Sequence, residues 1–459
     1  MVPRIFALFL VCAVVILPGL SGCDSDSGGG DDDEENPSRS LRMVNAVSGS
    51  VSLGWEIDES DQGTVAFGRA SAAQAIIDGT KPLTFYLVQA DGDLEFLDDL
   101  AFDYELDGDF DVLILLYGTL DAIQVQVIEE EGFDVDEDFG RLGFINLTSA
   151  YPSLDLYLTD ADEGVFAANP LVFSETTVFS GMVDIEEGDY ELQFTRIGEK
   201  EIVFDAGDVD IDEDTNHFYL AMDFASGSDS ILVLEVQGDG TTRQLVDDDT
   251  PARLRFFNAI ADYPTVDVFF GDTSGTPVFE MVGFRSMTDY VDVDAGSYNV
   301  NITPTGVLDT FFYEAELAVV SGGYSTLVVA GVVQGEDGDP EINGNVIADT
   351  VRPIDAGAQV SFVHASPANE AVDVYLLLPG QPVDDATPVI SALAPFLSFD
   401  FEQQEGDFQI TLVQSSNDAQ ILGPIPVTLE DGDILEIFFS DSEGGGTPGQ
   451  LTLIRTDLE

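Results

Sequence analysis

The sequence predicts an all-β protein: tandem antiparallel β-sandwich domains, preceded by a signal peptide and a flexible tether. Three observations carry this reading. A landmark motif recurs at domain-length intervals, many short runs alternate apolar with acidic residues, and no repeat holds a long amphipathic helix.

The chain opens MVPRIFALFLVCAVVILPGLSGC. Arg4 supplies the positive start, and the 13 apolar residues from Ile5 to Leu17 fall short of the ~20 needed to span a bilayer. Leu20-Ser21-Gly22-Cys23 resembles the bacterial lipobox. That resemblance implies acylation of Cys23, residues 1–22 as the signal peptide, and membrane lipid as the first partner. Asp24 resembles the inner-membrane retention signal of enteric bacteria, a rule that varies between lineages. The expected location is the bacterial cell envelope, with the body in the periplasm or at the cell surface. Residues 23–39 lack apolar periodicity and read as the acylated Cys with a disordered acidic tether.

Beyond the tether, Ser40-Leu41-Arg42-Met43-Val44-Asn45 aligns with Arg141 to Asn146, Arg253 to Asn258 and Gln359 to His364. The starts at 40, 141, 253 and 359 lie 101, 112 and 106 residues apart, a domain length and too long for a solenoid unit. The expected sandwiches are residues 40–139, which diverge most, then 140–252, 253–357 and 358–459. Runs such as Asp208-Val209-Asp210-Ile211 and Phe399-Asp400-Phe401-Glu402 have the period of two that buries one strand face and wets the other. Ala66 to Ile77 comes nearest to a helix. Acidic, turn-rich junctions suggest separate beads, open to protease near Glu129 to Phe139, Asp239 to Ala252 and Glu336 to Gly357.

Composition bounds the chemistry. Eighty-eight Asp and Glu against 14 Lys and Arg give a formal charge of −74, which repels phosphate backbones and argues for no nucleic-acid partner. Such a surface suits a saline medium, where ~1 M salt shortens the Debye length to about 3 Å. Cys12 and Cys23 both precede the repeats, so the body has neither a disulfide nor a thiolate metal site.

His364-Ala365-Ser366-Pro367 followed by Ala371-Val372-Asp373-Val374-Tyr375 resembles the bacterial envelope domains of unknown function 4397. Ala295 to Val300 and Leu327 to Gly331 resemble later strands of that family. The first repeat departs, with Gly54 in place of the Asp and Trp55 after it. The resemblance implies an immunoglobulin-like or transthyretin-like β-sandwich and carries no established activity.

Asp155, Asp267 and Asp373 recur at one motif position and invite a catalytic reading. A structural one fits better. Each Asp can accept backbone N–H bonds from the preceding turn, while Asn146, Asn258 or His364, nine residues earlier, closes the other side. His217 and His364 fall in different repeats, and no zincin, nucleophile-elbow or P-loop motif occurs. No catalytic residue and no cofactor is therefore expected. Calcium is the one metal suggested, by Asp208-x-Asp210-x-Asp212 and Asp134-x-Asp136-x-Asp138, neither with the Gly and Glu of an EF-hand loop, and more by the run Glu336 to Asn343, whose turn residues can fold oxygens inward. The expected function is a non-catalytic, lipid-anchored envelope protein presenting tandem sandwiches for adhesion, spacing or envelope structure. The alternative is a module for an envelope or extracellular ligand, such as carbohydrate, with Trp55 the one aromatic hint and a core role the plainer account of it.

Overall fold

The computed structural model describes residues 39–456 except 77–78, 89–93, 107–109, 132–137, 161–163, 224–230 and 336–337. Cys23, the signal peptide, the tether, Asp134, Asp136, Glu336 and Asp337 lie outside the described residues. Alternating and β-branched runs become strands grouped in eight sheets, two for each copy of the motif. The fourth repeat shows the plan. Its 4-stranded sheet runs Ser398–Gln403, Ala358–Ala365, Ile434–Ser440, Gln450–Arg455 in order across the sheet. The second runs Ile390–Leu393, Val372–Leu377, Gly406–Gln414, Ala419–Leu429. Numbered along the chain, the strand orders are 4-1-7-8 and 3-2-5-6.

Strands 1 and 7 pair in parallel, with Ser361 opposite Glu436, and the other ladders of this repeat are antiparallel. The parallel pairing recurs as Arg42 with Leu113, Gly143 with Phe218, and Arg255 with Thr326. Constant-type immunoglobulin sandwiches divide their strands ABED and CFG. The fourth repeat here divides its strands four and four. Ala66 to Ile77 is not a helix: Gly68 turns the chain at φ +65°, and the short strands Arg69–Ala70 and Gln74–Ile76 pair with strand 1.

Each sandwich encloses its own apolar core, the first around Trp55, Phe85 and Ile114, the fourth around Phe362, Leu412 and Phe439. The repeats are not separate beads, however. The outer faces of neighbouring 4-1-7-8 sheets pack on each other. Val44, Leu113 and Leu115 of the first repeat share a core with Phe218, Leu220 and Leu234 of the second. Phe257 and Val328 of the third share one with Val363 and Phe438 of the fourth, the rings of Phe257 and Phe438 stacking at 3.9 Å. Burial on both faces explains the sequence of these strands. Ala358–Ala365 is buried at every position, and strand 7 runs Leu113-Ile114-Leu115-Leu116 without alternation.

Two of the scarce cations are sealed into these interfaces at equivalent places. Arg42, third in the recurring motif, lies 2.5 Å from Glu130 of its own strand 8 and donates to the Gly238 carbonyl of the second repeat at 2.9 Å. Asn216 of the second repeat donates to the same Glu130 at 2.9 Å. Arg255, third in its own copy of the motif, lies 3.3 Å from Asp349, donates to Thr456 Oγ1 at 2.9 Å and pairs with Glu436, the last two from the fourth repeat. Extending the strand 7–8 ladders aligns Glu130 with Asp349 and Gly238 with Thr456. The second and fourth repeats put Gly143 and Ser361 at the arginine position. A Cβ on Gly143 would fall 2.6 Å from Met182 Sδ and 2.7 Å from the Phe179 ring, so nothing larger fits.

Candidate functional site

The recurring aspartates resolve as backbone acceptors, but their donors are not in the preceding turn. Asp267 Oδ1 accepts the Met281 N–H at 2.8 Å and the Thr305 hydroxyl at 3.2 Å, and Oδ2 accepts the Gly306 N–H at 2.9 Å. Asp373 Oδ1 accepts the Ala392 N–H at 2.7 Å and the Ser415 hydroxyl at 2.6 Å. Both stand opposite a bulge in strand 3, where Met281 and Ala392 take φ +53°. Residues with a Cβ disfavour that region, and the carboxylate holds the displaced N–H. The second repeat has no bulge opposite Asp155, which among the described residues accepts only the Gly198 N–H, at 2.8 Å.

In the first repeat Gly54 is not a tolerant position. A Cβ there would lie 2.0 Å from the Tyr86 ring, whose hydroxyl donates to Asp61 Oδ1 at 2.6 Å. The carboxylate has moved to the opposite strand, and a tyrosine ring fills its place.

The asparagines do not close the aspartate site either. Each accepts the N–H two residues on, and the amide nitrogen reaches a carbonyl of the following loop from Asn146 and of strand 3 from Asn258. Asn258 Oδ1 accepts the Ile260 N–H and its Nδ2 donates to the Val282 carbonyl, both at 2.9 Å. His364 reproduces this with a ring: Nδ1 accepts the Ser366 N–H at 3.3 Å and Nε2 donates to the Glu370 carbonyl at 3.0 Å. Those bonds select the Nε2–H tautomer, and burial pushes the ring's pKa down. Ser366 and Asp441 join it, the Ser366 hydroxyl donating to Asp441 rather than to the imidazole.

His217 is also engaged. Its Nε2 accepts the Asp212 N–H at 3.2 Å, and Nδ1 bonds Glu235 at 2.9 Å. Glu235 also takes Tyr219 at 3.2 Å and Arg243 at 2.8 Å. Burial raises the Glu235 pKa, but His217 and Arg243 outweigh it and hold the carboxyl below its ordinary value. Asp208 and Asp210 lie exposed on Ile202–Ile211, opposite Glu191 and Asp189. Among the described residues no group of three or more His, Cys, Asp or Glu is placed to hold a metal.

A different place collects recognition chemistry. A cleft of about 1000 Å³ opens where the first two repeats meet the last two, lined by Phe67, Arg69, Val246, Tyr324, Arg352 and Phe399 among others. Arg352 builds one wall. Its Nη2 donates to the Ser50 carbonyl at 2.9 Å and to Glu402 at 3.0 Å, and its guanidinium lies 4.5 Å from the Phe67 ring centroid. Ser52 closes on the same Glu402 with N–H and hydroxyl at 2.6 and 2.8 Å. Sequence reasoning missed this site because residues from Val51 to Gln404 line it and no local motif joins them. Trp55 is fully buried in the first core and takes no part in it.

Residues 252–375 match the family model described as "Domain of unknown function (DUF4397)". No curated protein matches the chain. Among solved structures, the Bacillus anthracis TIE protein aligns at 8% identity over 91% of this chain and 76% of its own, with a TM-score of 0.16. The major pilin subunit of Bacillus cereus aligns at 10% identity over 66% of this chain and 99% of its own, with a TM-score of 0.12. Scores that low carry no argument. The family match covers the third sandwich and runs into strand 2 of the fourth at Tyr375, taking in both Asp267 and Asp373, so this stretch of the chain is similar to that family.

Proposed function

We propose that the chain is a non-catalytic, lipid-anchored cell-envelope protein whose tandem sandwiches serve adhesion, spacing or envelope structure. One observation carries the non-catalytic part. The recurring aspartates, both histidines and the interface arginines are committed to backbone donors or to each other. General acid–base chemistry needs a titratable group free to meet a substrate. The lipobox-like Leu20 to Cys23 supports the anchor, and the charge of −74 supports a salt-exposed location. Replacing Cys23 with Ala should release the chain from membrane fractions and end labelled-palmitate incorporation. A variant that still sediments with lipid would remove the anchor from this reading.

The cleft favours a second reading, a module that binds an envelope or extracellular ligand. Its volume is at the upper end of the ~300–1,000 Å³ range of small-molecule sites.

A further inference from the structure

We propose that the cleft between the two halves of the chain binds a carboxylate-bearing oligosaccharide, with Arg69 as its anion contact and Phe399 as its stacking platform. The inference rests on the ligand-binding reading and deepens it. Cations are rare here, 14 against 88 acids, and those at the interfaces are held in internal bonds. Arg69 differs. It is exposed, lines the cleft, and has no salt bridge or side-chain hydrogen bond among the described residues. Arg352 lines the same cleft, and its Nη1 is buried without a hydrogen-bond partner among the described residues. Buried donors are seldom left unmade, and a guanidinium fork matches the planar oxygens of a carboxylate.

The carboxylates of the lining are already engaged. Glu402 is taken by Arg352 and Ser52, and Asp349 by Arg255 and by Tyr290, whose hydroxyl donates at 2.7 Å. Asp400 accepts the Thr350 hydroxyl at 2.9 Å. An incoming anion therefore meets a nearly balanced lining rather than the −74 of the whole chain, whose distant charges are screened beyond ~8–10 Å in physiological salt. Phe399 is 46% exposed, a flat apolar face of the kind that receives one side of a sugar ring. Side-chain amides of Gln244, Gln359 and Gln403 add donors and acceptors for hydroxyls, and the cleft's volume exceeds the needs of one ring.

The test is titration calorimetry on the full-length chain in nonionic detergent, with a galacturonate trimer as probe and the neutral maltotriose as control. The trimer should bind and the neutral sugar at least tenfold more weakly. Arg69→Gln should weaken the trimer at least tenfold, and so should Phe399→Ala, while Phe166→Ala, on the second repeat and 83% exposed, should change nothing. Unchanged thermal melts would show that the variants fold. Equal binding of both sugars, insensitivity to Arg69→Gln, or no binding by either sugar would overturn the proposal. None of these outcomes bears on membrane anchoring, which the Cys23→Ala fractionation tests separately.

Discussion

At the scale of single residues, Asp267 and Asp373 hold an N–H that a bulge has turned out of its ladder, and their value follows from the number of donors they take. Asp267 accepts three and Asp155 one. Removing a buried acceptor costs ~1–3 kcal/mol. Urea unfolding should therefore place Asp267→Ala near the top of that range and Asp155→Ala near the bottom; the reverse order would contradict the geometry. Gly54→Ala should also destabilise, because Tyr86 is buried and cannot yield the space. His364 gives a pH test. Its folded pKa lies below the unfolded value of about 6.5, so its contribution is whole above ~6.5 and is lost as pH falls toward the folded value. Asn45, Asn146 and Asn258 hold the same position elsewhere, so His364→Asn should fold. Its urea midpoint should drop less than wild type's between about pH 7.5 and about pH 5.5. Equal drops would show that the imidazole is not responsible.

Among the elements, strand 1 is the one whose sequence means more than it first shows. The edge strand Ile202–Ile211 was legible because one face is wet: exposed Asp208 and Asp210 alternate with buried Val209 and Ile211. Strands 1 and 7 were legible as core but not as an interface. An apolar run buried on two faces looks the same whether the second cover is its own domain or the next. The third-position arginine was the available clue, present in Arg42 and Arg255 and absent at Gly143 and Ser361, yet only the register shows what it meets. Removing one partner of such a buried pair strands a charge, at ~3–5 kcal/mol. Arg42→Met should therefore unfold at lower denaturant, whereas Arg42→Met with Glu130→Leu should recover most of the loss. A double variant no better than the single would mean that the arginine stem, not the charge pair, supports the interface.

For the whole molecule, charge and pairing set the behaviour. Self-repulsion at −74 is screened by salt, while the sealed arginine pairs are screened far less. Melting temperature should rise between about 0.05 and about 2 M potassium chloride; a flat response would count against a saline-adapted surface. The cleft was invisible in the sequence for a reason of distance, since Ser50 and Arg352 meet across 302 positions. The same contact pins the third junction, where the Asp355 N–H also donates to the Gly49 carbonyl at 2.7 Å, so proteolysis there should be slow. Proteolysis should instead release fragments of two repeats, and rapid release of single repeats would contradict the shared cores. The face-to-face packing finally sets a rule of parity. In a chain of this design, two, four or six sandwiches leave each of these faces covered. With three or five, one sheet would show water the surface that Phe257 and Val328 cover here, and that last sandwich would have to borrow its cover from another molecule. Insertions and deletions that preserve solubility should therefore come in twos.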